Sequence, residues 1–471
     1  MIFTLKYWMA NPKRHIILFI FLMLVIIKAG IIYFAIPKLT KYYPRVYDIN
    51  EFSDDYVSIA MNLADGKGYR NYPETCKTLL RSPGYVILLF GIFKIFGKNL
   101  FAVQTVNLLL SIATAFIILK IAGKIVNRSA VCWLAPLFFL FHPAIILAET
   151  RGGVESLFTF FVTLFMFCLY CAIESNKPRD YIITGIVLAL MLLVKSTPIL
   201  FPIFILPYLI FINRKIFSSR IIYTNYMVML IVACLIYSPW VIRNYLVSGK
   251  FVLLTTQKGF VAYQGLYLNK HIFSGKDSRI LLHEAAKEQS SLAKDAKFQF
   301  ENHGDYQYFY SSNDEIRFGK LLFDKVKLEY RRAPSLFFKC ILFNFIRFFF
   351  YGSKKAVPLN ILFGVPLLIL YILGIYAGYK KKLNISLLLI FIFVFIMSHL
   401  PLLGWARYQI PLIPFFAMLA SLVFIGKRPN SPIFKKISIV AHGFLNHGHE
   451  LPDVRKTFSY EFPIDVSLTK K

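Results

Sequence analysis

The sequence predicts an all-α polytopic membrane protein, and its composition and the arrangement of its apolar residues support this. Of its 471 residues, 57% are hydrophobic and the mean hydropathy is +0.59, whereas soluble domains are about 45–50% apolar. Apolar runs of about 20 residues recur along the chain, and each is long enough to cross a hydrocarbon layer of about 30 Å as a helix. The runs are continuous and do not alternate with polar residues, which argues against a membrane β-barrel.

A bundle of about ten transmembrane helices accounts for these runs. The first run follows a basic start and is too long for the apolar part of a signal peptide, so we expect a retained helix there. The predicted spans lie near residues 15–36, 101–122, 130–148, 154–173, 180–195, 197–213, 221–242, 357–379, 384–403 and 407–426.

Short basic turns between spans predict the orientation of the bundle. Positive charge in short loops favours the cytoplasmic side, which places both termini inside and the two long loops, 37–100 and 243–356, outside. The chain is thus divided into a transmembrane domain, 1–426, and a polar cytoplasmic tail, 427–471. The basic turns are 123–129, 174–180, 213–220 and 380–383.

Two apolar stretches fall within the long loops. Residues 84–97 are too short to span, and we expect a helix that lies on the membrane surface or dips into it. Residues 335–352 are nearly long enough, but they contain Lys339, Asn344 and Arg347. A span there would also move the lysine-rich turn that follows to the outside, so an interfacial helix is preferred.

The formal net charge of +30 would suggest a nucleic-acid partner in a soluble protein. Here the basic residues form short clusters beside apolar spans, which indicates orientation signals and contact with anionic membrane lipid instead. The composition is rich in isoleucine, lysine and phenylalanine and favours a bacterial source. The expected location is therefore the bacterial inner (plasma) membrane, with no nucleic acid bound.

A polar segment after the first span holds the leading candidate for chemistry. It contains the neighbouring acids Asp54 and Asp55 and ends near Arg81. A carboxylate at a membrane face can act as general base on an acceptor hydroxyl, or can hold a cation. The alternatives are a solvated loop, or acids that cap a helix beginning at Tyr56.

The acidic pair belongs to a longer sequence pattern. The pattern runs from Asp54-Asp55-Tyr56 through Gly66-Lys67-Gly68-Tyr69 to Arg81-Ser82-Pro83-Gly84-Tyr85. It resembles the first external loop of the GT-C superfamily, most closely the branch with protein O-mannosyltransferases (the dolichyl-phosphate-mannose-protein mannosyltransferase family) and lipid A aminoarabinose transferases. Members carry an Asp-Glu or similar pair after the first span. The second acid here is Asp55, which leaves open which acid is the base, although position favours Asp54.

Four further motifs follow in the order of that family, each at the predicted external face. The resemblance covers about residues 45–425 and is weakest over 260–356. The motifs are His142-Pro143 followed by Glu155-Ser156-Leu157-Phe158; Leu193-Val194-Lys195-Ser196-Thr197-Pro198; Ser238-Pro239-Trp240-Val241-Ile242-Arg243-Asn244-Tyr245; and Trp405-Ala406-Arg407-Tyr408 followed by Pro411 and Pro414.

Basic residues at the outer ends of spans form a second group of candidates. Lys195, Arg243 and Arg407 run against the usual inward bias of positive charge. Together with Arg81 they would make a site for a lipid-linked phosphate, because the guanidinium fork pairs with phosphate oxygens. The alternative is that each side chain reaches the lipid headgroups on its own.

Two acids, Glu149 and Glu155, lie at the outer ends of the third and fourth spans. A charge at membrane depth costs at least about 2.5–3.5 kcal/mol, so each is expected to face a cavity or a partner. An ion pair with Arg151 is the alternative.

The resemblance implies a membrane glycosyltransferase that moves a sugar from a polyprenyl-phosphate donor to an acceptor hydroxyl, with inversion, at the extracytoplasmic face. The acceptor is a glycan, lipid or protein, and the sugar is left open. No cofactor is implied beyond a possible divalent cation. The residues implied for catalysis are Asp54, Asp55 and Glu155, and those implied for binding the donor phosphate are Arg81, Lys195, Arg243, Arg407 and Tyr408.

Other functions and other candidate residues stay open at this point. A lipid-linked saccharide transporter or flippase, or a glycan polymerase or ligase, would also need external basic residues. Tyr306, Tyr308 and Tyr310 alternate, so they would either stack on a sugar or form a short strand. The tail contains a small group of histidines that is a weak candidate for metal binding: His442, His447 and His449.

Overall fold

The computed structural model describes residues 22–35, 55–126, 129–212, 220–303, 306–350 and 357–425. Asp54 and the histidines of the tail lie outside these ranges. The chain divides into two units, residues 1–423 and 424–471. All elements described below belong to the first unit.

Almost every element in the described ranges is a helix, as the sequence predicts. A two-stranded hairpin lies between α12 and α13. The elements are α1 (Leu22–Phe34), α2 (Tyr56–Ala64), α3 (Pro83–Phe96), α4 (Leu100–Ile125), α5 (Ser129–Leu140), α6 (Pro143–Arg151), α7 (Glu155–Ser175), α8 (Pro178–Val194), α9 (Phe201–Ile212), α10 (Arg220–Ser248), α11 (Gln257–Lys270), α12 (Ser278–Asp295), β1 (Phe300–His303), β2 (Tyr306–Phe309), α13 (Ser312–Arg332), α14 (Pro334–Phe350), α15 (Val357–Lys380), α16 (Ser386–His399) and α17 (Ile413–Leu422), with 3₁₀ turns at Thr197–Leu200 and Ala406–Leu412.

Three helices in the described ranges are long and apolar enough to cross a membrane: α4, α7 and residues Ile221–Ser248 of α10. The number becomes five if each of two bent helix pairs counts as one span. Shorter apolar helices include α1, α3 and α16. The helical, membrane-spanning character is therefore confirmed, while the count of ten spans stays a prediction.

The bend between α5 and α6 has a local cause. The two helices meet at an angle of 49°, and Pro143 occupies the first turn of α6. Proline has no N–H to continue the helical ladder and disfavours helical geometry in the residue before it. His142 caps the new helix instead, because its Nδ1 accepts a hydrogen bond from the N–H of Ala144 at 3.2 Å. The predicted span 130–148 is thus a broken one.

The second predicted loop folds into a unit that we call the loop module, comprising α11, α12, the hairpin and α13 (residues 257–332). Its strands pair antiparallel, with Phe300 opposite Phe309. Phe260, Phe309 and Phe318 form the centre of its apolar core, and Leu80 from the first predicted loop packs into the same core. The two loops that lie far apart in sequence therefore share one hydrophobic interior.

Glu315 joins three segments at this junction. It accepts hydrogen bonds from the Thr78 hydroxyl at 2.8 Å, the Leu79 N–H at 3.0 Å and the Thr256 hydroxyl at 2.6 Å. Burial raises the pKa of this carboxyl, which lies at the start of the polar helix α13. One buried acid thus adds three hydrogen bonds to the apolar contact that holds the stretch before Arg81 against the loop module.

Replacing Glu315 should have a pH-dependent effect. Because its pKa is raised in the folded protein, the folded state binds a proton at higher pH than the unfolded chain does. The wild type therefore loses stability as pH rises above the ordinary value of 4.5. A Glu315→Gln protein keeps an acceptor for Leu79 and Thr256, so its melting temperature relative to wild type should rise with pH. Glu315→Ala should lower the melting temperature at every pH, because three donors lose their acceptor.

Melting curves in detergent across about pH 4.5 to 8 test this expectation. Glu301→Gln is the control, since Glu301 lies on β1, outside the Glu315 network, and accepts a hydrogen bond from the exposed Tyr310 hydroxyl. A Glu315→Gln difference that stays constant with pH would contradict the argument.

The helix α14 buries Asn344 and Arg347, whereas Lys339 is exposed. Asn344 donates to the Leu400 carbonyl at 2.8 Å, and Arg347 donates to Asn269 Oδ1 at 2.8 Å and to the Leu268 carbonyl at 3.0 Å. Two of the three polar residues that argue against a span thus have protein partners. The interfacial position of α14 stays a prediction.

Candidate functional site

A cavity of about 610 Å³ lies where the ends of several helices meet the loop module. Arg81 and Ser82 reach it from the start of α3, Lys195 from the end of α8, His399 from the end of α16 and Arg407 from the 3₁₀ turn before α17. The helices of the bundle thus place short, polar connections around one space, as enzymes commonly do with loops on a rigid scaffold.

The lining of the cavity combines positive charge with apolar surface. It includes five basic side chains and, among the described residues, no carboxylate. Phenylalanine, leucine, valine and isoleucine side chains provide much of the rest. Such a site suits a ligand with an anionic group and an apolar chain. The basic residues are Arg81, Lys195, Lys258, Lys327 and Arg407, and the apolar ones include Phe158, Ile199, Leu200, Val261, Phe323 and Phe395.

A close helix contact brings two of these cations to the same place. A Cβ atom on Gly84 would lie 2.9 Å from the Leu193 carbonyl oxygen. Because glycine has no side chain there, the start of α3 can pack directly on the last turn of α8. Arg81 precedes this contact and Lys195 follows it, so the contact sets both side chains at the cavity.

Asp55 and Arg81 form a buried ion pair behind the cavity wall. Arg81 Nη2 lies 3.0 Å from Asp55 Oδ2, and the two side chains are 4% and 8% exposed, respectively. The Tyr308 hydroxyl donates to the other oxygen, Asp55 Oδ1, at 2.6 Å. Desolvation and the adjacent Asp55 charge raise the pKa of Tyr308, so it stays protonated and remains a donor. The carboxylate orients Arg81, which also lies over the Tyr56 ring at 5.5 Å.

The backbone at Asp55 is unusual. Its φ of 65° is left-handed, a conformation that costs most residues energy but that aspartate adopts more readily than most. It directly precedes α2, whose Ser58 hydroxyl donates to the Asp55 carbonyl at 2.9 Å. The strained position is maintained by the ion pair and by Tyr308, and such strain is often found at functional sites.

Glu155, Lys195 and Tyr408 form the second part of the site. Lys195 Nζ lies 3.5 Å from Glu155 Oε1 and about 6.0 Å from the centre of the Tyr408 ring. Arg407 lies over the same ring, at 5.7 Å. Glu155 itself does not line the cavity and acts on it through Lys195.

Arg243 has a different position from the other predicted phosphate ligands. Its guanidinium packs against the Tyr69 and Trp240 rings, 4.9 and 5.0 Å from their centroids, and donates to the Thr78 carbonyl at 2.8 Å. It is not among the residues that line the cavity. In this position it holds the segment before Arg81 against α10.

Glu149 has a partner that the sequence did not suggest. It accepts from Lys28 Nζ at 2.7 Å, and both side chains are fully buried. The pair ties α1 to α6 and has no part in the lining of the cavity. Mutual pairing lowers the cost of both charges inside the bundle.

The described residues contain no group of three or more histidine, cysteine, aspartate or glutamate side chains placed to hold a metal ion. Asp55 and Glu155 each face a basic partner instead. The part of the chain that the structure describes thus contains no ready-made site for a divalent cation.

Three cavity residues were missed in the sequence. Lys258 and Lys327 flank the Phe323 ring at 4.4 and 4.6 Å, and His399 ends an apolar helix. A histidine at the outer end of a predicted span was a usable signal. The two lysines lie in the long second loop, where nothing local distinguishes them from solvated charges.

Residues 81–241 match the family model described as dolichyl-phosphate-mannose-protein mannosyltransferase. The match covers about a third of the chain and confirms the resemblance found in the motifs. It includes Arg81, Glu155 and Lys195. No match to a curated protein accompanies it. The family implies membrane glycosyltransferase activity, with a lipid-linked sugar donor and an acceptor.

Proposed function

We propose that the protein transfers a sugar from a polyprenyl-phosphate donor to an acceptor hydroxyl at the extracytoplasmic face of the membrane, with inversion at the anomeric carbon. The observation that carries the proposal is the cavity, with its five cations, its apolar walls and no carboxylate among its described lining residues. The cations suit the phosphate, and the apolar walls suit the first part of the polyprenyl chain.

The cations also favour the reaction itself. The donor phosphate is a diester with one negative charge, whereas the released polyprenyl phosphate is a monoester with about −1.5 to −2. Negative charge therefore grows on the phosphate as the bond to the sugar breaks. Arg81, Lys195 and Arg407 stabilise that growing charge more than they stabilise the bound donor, which lowers the barrier.

The neighbouring acids Asp54 and Asp55 have different roles in the proposed reaction. Both oxygens of Asp55 are engaged, one by Arg81 and one by Tyr308, so Asp55 orients Arg81. Asp54 precedes it directly in the chain and is our candidate for the general base. Asp54 takes the proton of the acceptor hydroxyl, the hydroxyl oxygen bonds to the anomeric carbon, and the carbon–phosphate oxygen bond breaks with its electron pair on the phosphate.

Protein purified in detergent tests the proposed function. A panel of polyprenyl-phosphate hexoses is offered with an extract of envelope acceptors, and released polyprenyl phosphate and glycosylated product are measured. Transfer with one of these donors is expected. Asp54→Asn should lower the transfer rate by about 10²–10⁴-fold, as expected for loss of a general base, while donor binding is retained.

The same assay separates the alternatives. A flippase would move the lipid in vesicles but release no polyprenyl phosphate in detergent. A glycan polymerase or ligase would act only on a lipid-linked oligosaccharide and not on the single-sugar donors. Either result, or an Asp54→Asn protein with the wild-type rate, would contradict the proposal.

A further inference from the structure

His399 places an unused ring nitrogen at the cavity. It is the last residue of α16 and lines the cavity beside Arg407 and Tyr408. Its Nδ1 lies 2.8 Å from the Phe395 carbonyl oxygen. A carbonyl oxygen only accepts hydrogen bonds, so Nδ1 carries the proton, and in the neutral ring Nε2 is left as an acceptor. The side-chain hydrogen bonds of His399 with described residues all involve Nδ1.

The surroundings of the ring keep it neutral and in place. The Phe395, Phe348 and Tyr408 rings pack around it at 4.8, 5.9 and 5.1 Å between centroids. Burial of the ring and the charge of Lys195 both disfavour a positive charge on the imidazole. The side chain is therefore a fixed acceptor among cations that can only donate.

We infer that His399 Nε2 accepts a hydrogen bond from a hydroxyl of the donor sugar and so recognises the sugar rather than the lipid phosphate. This inference rests on the proposed function. The Nε2 lone pair forms no hydrogen bond with an ionised phosphate oxygen, which is itself an acceptor, or with the hydrocarbon of a polyprenyl chain. The sugar is bonded directly to the phosphate, so its hydroxyl groups fall beside the cations that surround His399.

Binding of two matched lipids tests the inference. One probe is polyprenyl phosphate, and the other is the polyprenyl-phosphate hexose that the wild type binds most tightly among mannose, glucose, galactose and N-acetylglucosamine. His399→Phe keeps an aromatic ring but removes the acceptor. We expect its affinity for the sugar lipid to fall about three- to tenfold, as for loss of a buried hydrogen bond, with the affinity for polyprenyl phosphate unchanged.

Two conservative variants locate the nitrogen involved. Glutamine places its amide near the position of Nε2, and asparagine places its amide near that of Nδ1. His399→Gln should recover part of the sugar-dependent affinity, and His399→Asn should not. His271→Phe is the matched control, because His271 also ends a helix and contacts the carbonyl four residues earlier, Tyr267, at 3.0 Å, but lies outside the cavity.

Equal losses for both lipids would show that His399 only shapes the cavity, and no loss for either would show that it does not touch the donor. Either result overturns the inference. A wild type that binds neither lipid would instead contradict the proposed function itself.

Discussion

Arg81→Ala and Asp55→Asn should each destabilise the protein strongly. The double variant should lose much less stability than the sum of the losses of the two single variants. The two side chains form a buried ion pair at 3.0 Å. Removing one partner leaves the other charge or dipole poorly compensated, at a cost of about 3–5 kcal/mol for a buried pair. With both charges removed, no isolated charge remains, so the second change costs less than the first. Melting temperatures of the four proteins in detergent measure this coupling.

Tyr308→Phe provides the comparison. It removes the second hydrogen bond to Asp55 but leaves the ion pair, so it should cost about 1.5–3 kcal/mol, the range for a hydrogen bond to a charged group. Single variants of Asp55 and Arg81 that add without coupling would contradict the view that Asp55 acts through Arg81.

The same variants separate stability from function. Among proteins that remain folded, Asp55→Asn should weaken binding of polyprenyl phosphate, because Arg81 loses the group that orients it toward the cavity. Tyr308→Phe should leave that binding within about twofold of wild type, because Arg81 keeps its carboxylate partner. This difference in binding is independent of the melting temperature.

Local sequence patterns predicted the helices well. Long apolar runs correspond to α4, α7 and α10, and proline marks the starts of α3 and α6. The motifs also predict Lys195 and Arg407 at the ends of spans, and both lie at the ends of helical elements. These features depend on composition and on residues close in the chain, which a single sequence displays directly.

Contacts between distant segments were not predictable in the same way. Tyr308 reaches Asp55 across 253 positions, and Leu80 enters the core of the loop module. The alternation of Tyr306, Tyr308 and Tyr310 predicts either a strand or a stacking surface. Tyr306 and Tyr308 lie on β2 and Tyr310 directly follows it, and Tyr308 donates a hydrogen bond to Asp55. No local pattern encodes which loop packs on which, because packing depends on the folded surfaces of both.

Arg243 illustrates how residue type and position can leave a role undecided. Arg243 and Arg407 each belong to a family motif and are each predicted at the outer end of a span, but the Arg243 guanidinium packs against Tyr69 and Trp240 while Arg407 lines the cavity. Arginine suits both an aromatic stack and a phosphate. The neighbours that the folded helices bring to each arginine decide between these roles, and those neighbours depend on the packing of the whole bundle.

Arg407→Ala should cause the largest loss of lipid phosphate binding among the cavity variants. Arg407 lines the cavity, and a guanidinium offers paired hydrogen bonds to phosphate oxygens. Losing hydrogen bonds to a charged group costs about 1.5–3 kcal/mol, which corresponds to about a 10- to 100-fold weaker affinity. The loss should be greater for polyprenyl phosphate than for a polyprenyl-phosphate hexose, because the free monoester carries more negative charge.

Two further variants separate charge from geometry. Arg407→Lys keeps the charge but loses the planar fork, so it should retain only part of the affinity. Arg331→Ala is the matched control, since Arg331 is an exposed arginine at the end of α13, away from the cavity lining. Binding is measured with both lipids at low and at raised salt.

Comparing the two lipids shows whether Arg407 stabilises the leaving phosphate or only anchors the donor. If Arg407 stabilises the charge that grows on the leaving phosphate, Arg407→Ala weakens binding of the product lipid more than of the donor and lowers the transfer rate as well as the affinity. An arginine that only anchors the donor would weaken both lipids equally and leave the rate at saturating donor unchanged. Equal affinity of Arg407→Ala and Arg331→Ala for both lipids would remove Arg407 from the phosphate site, and with it the main link between this cavity and the transfer reaction.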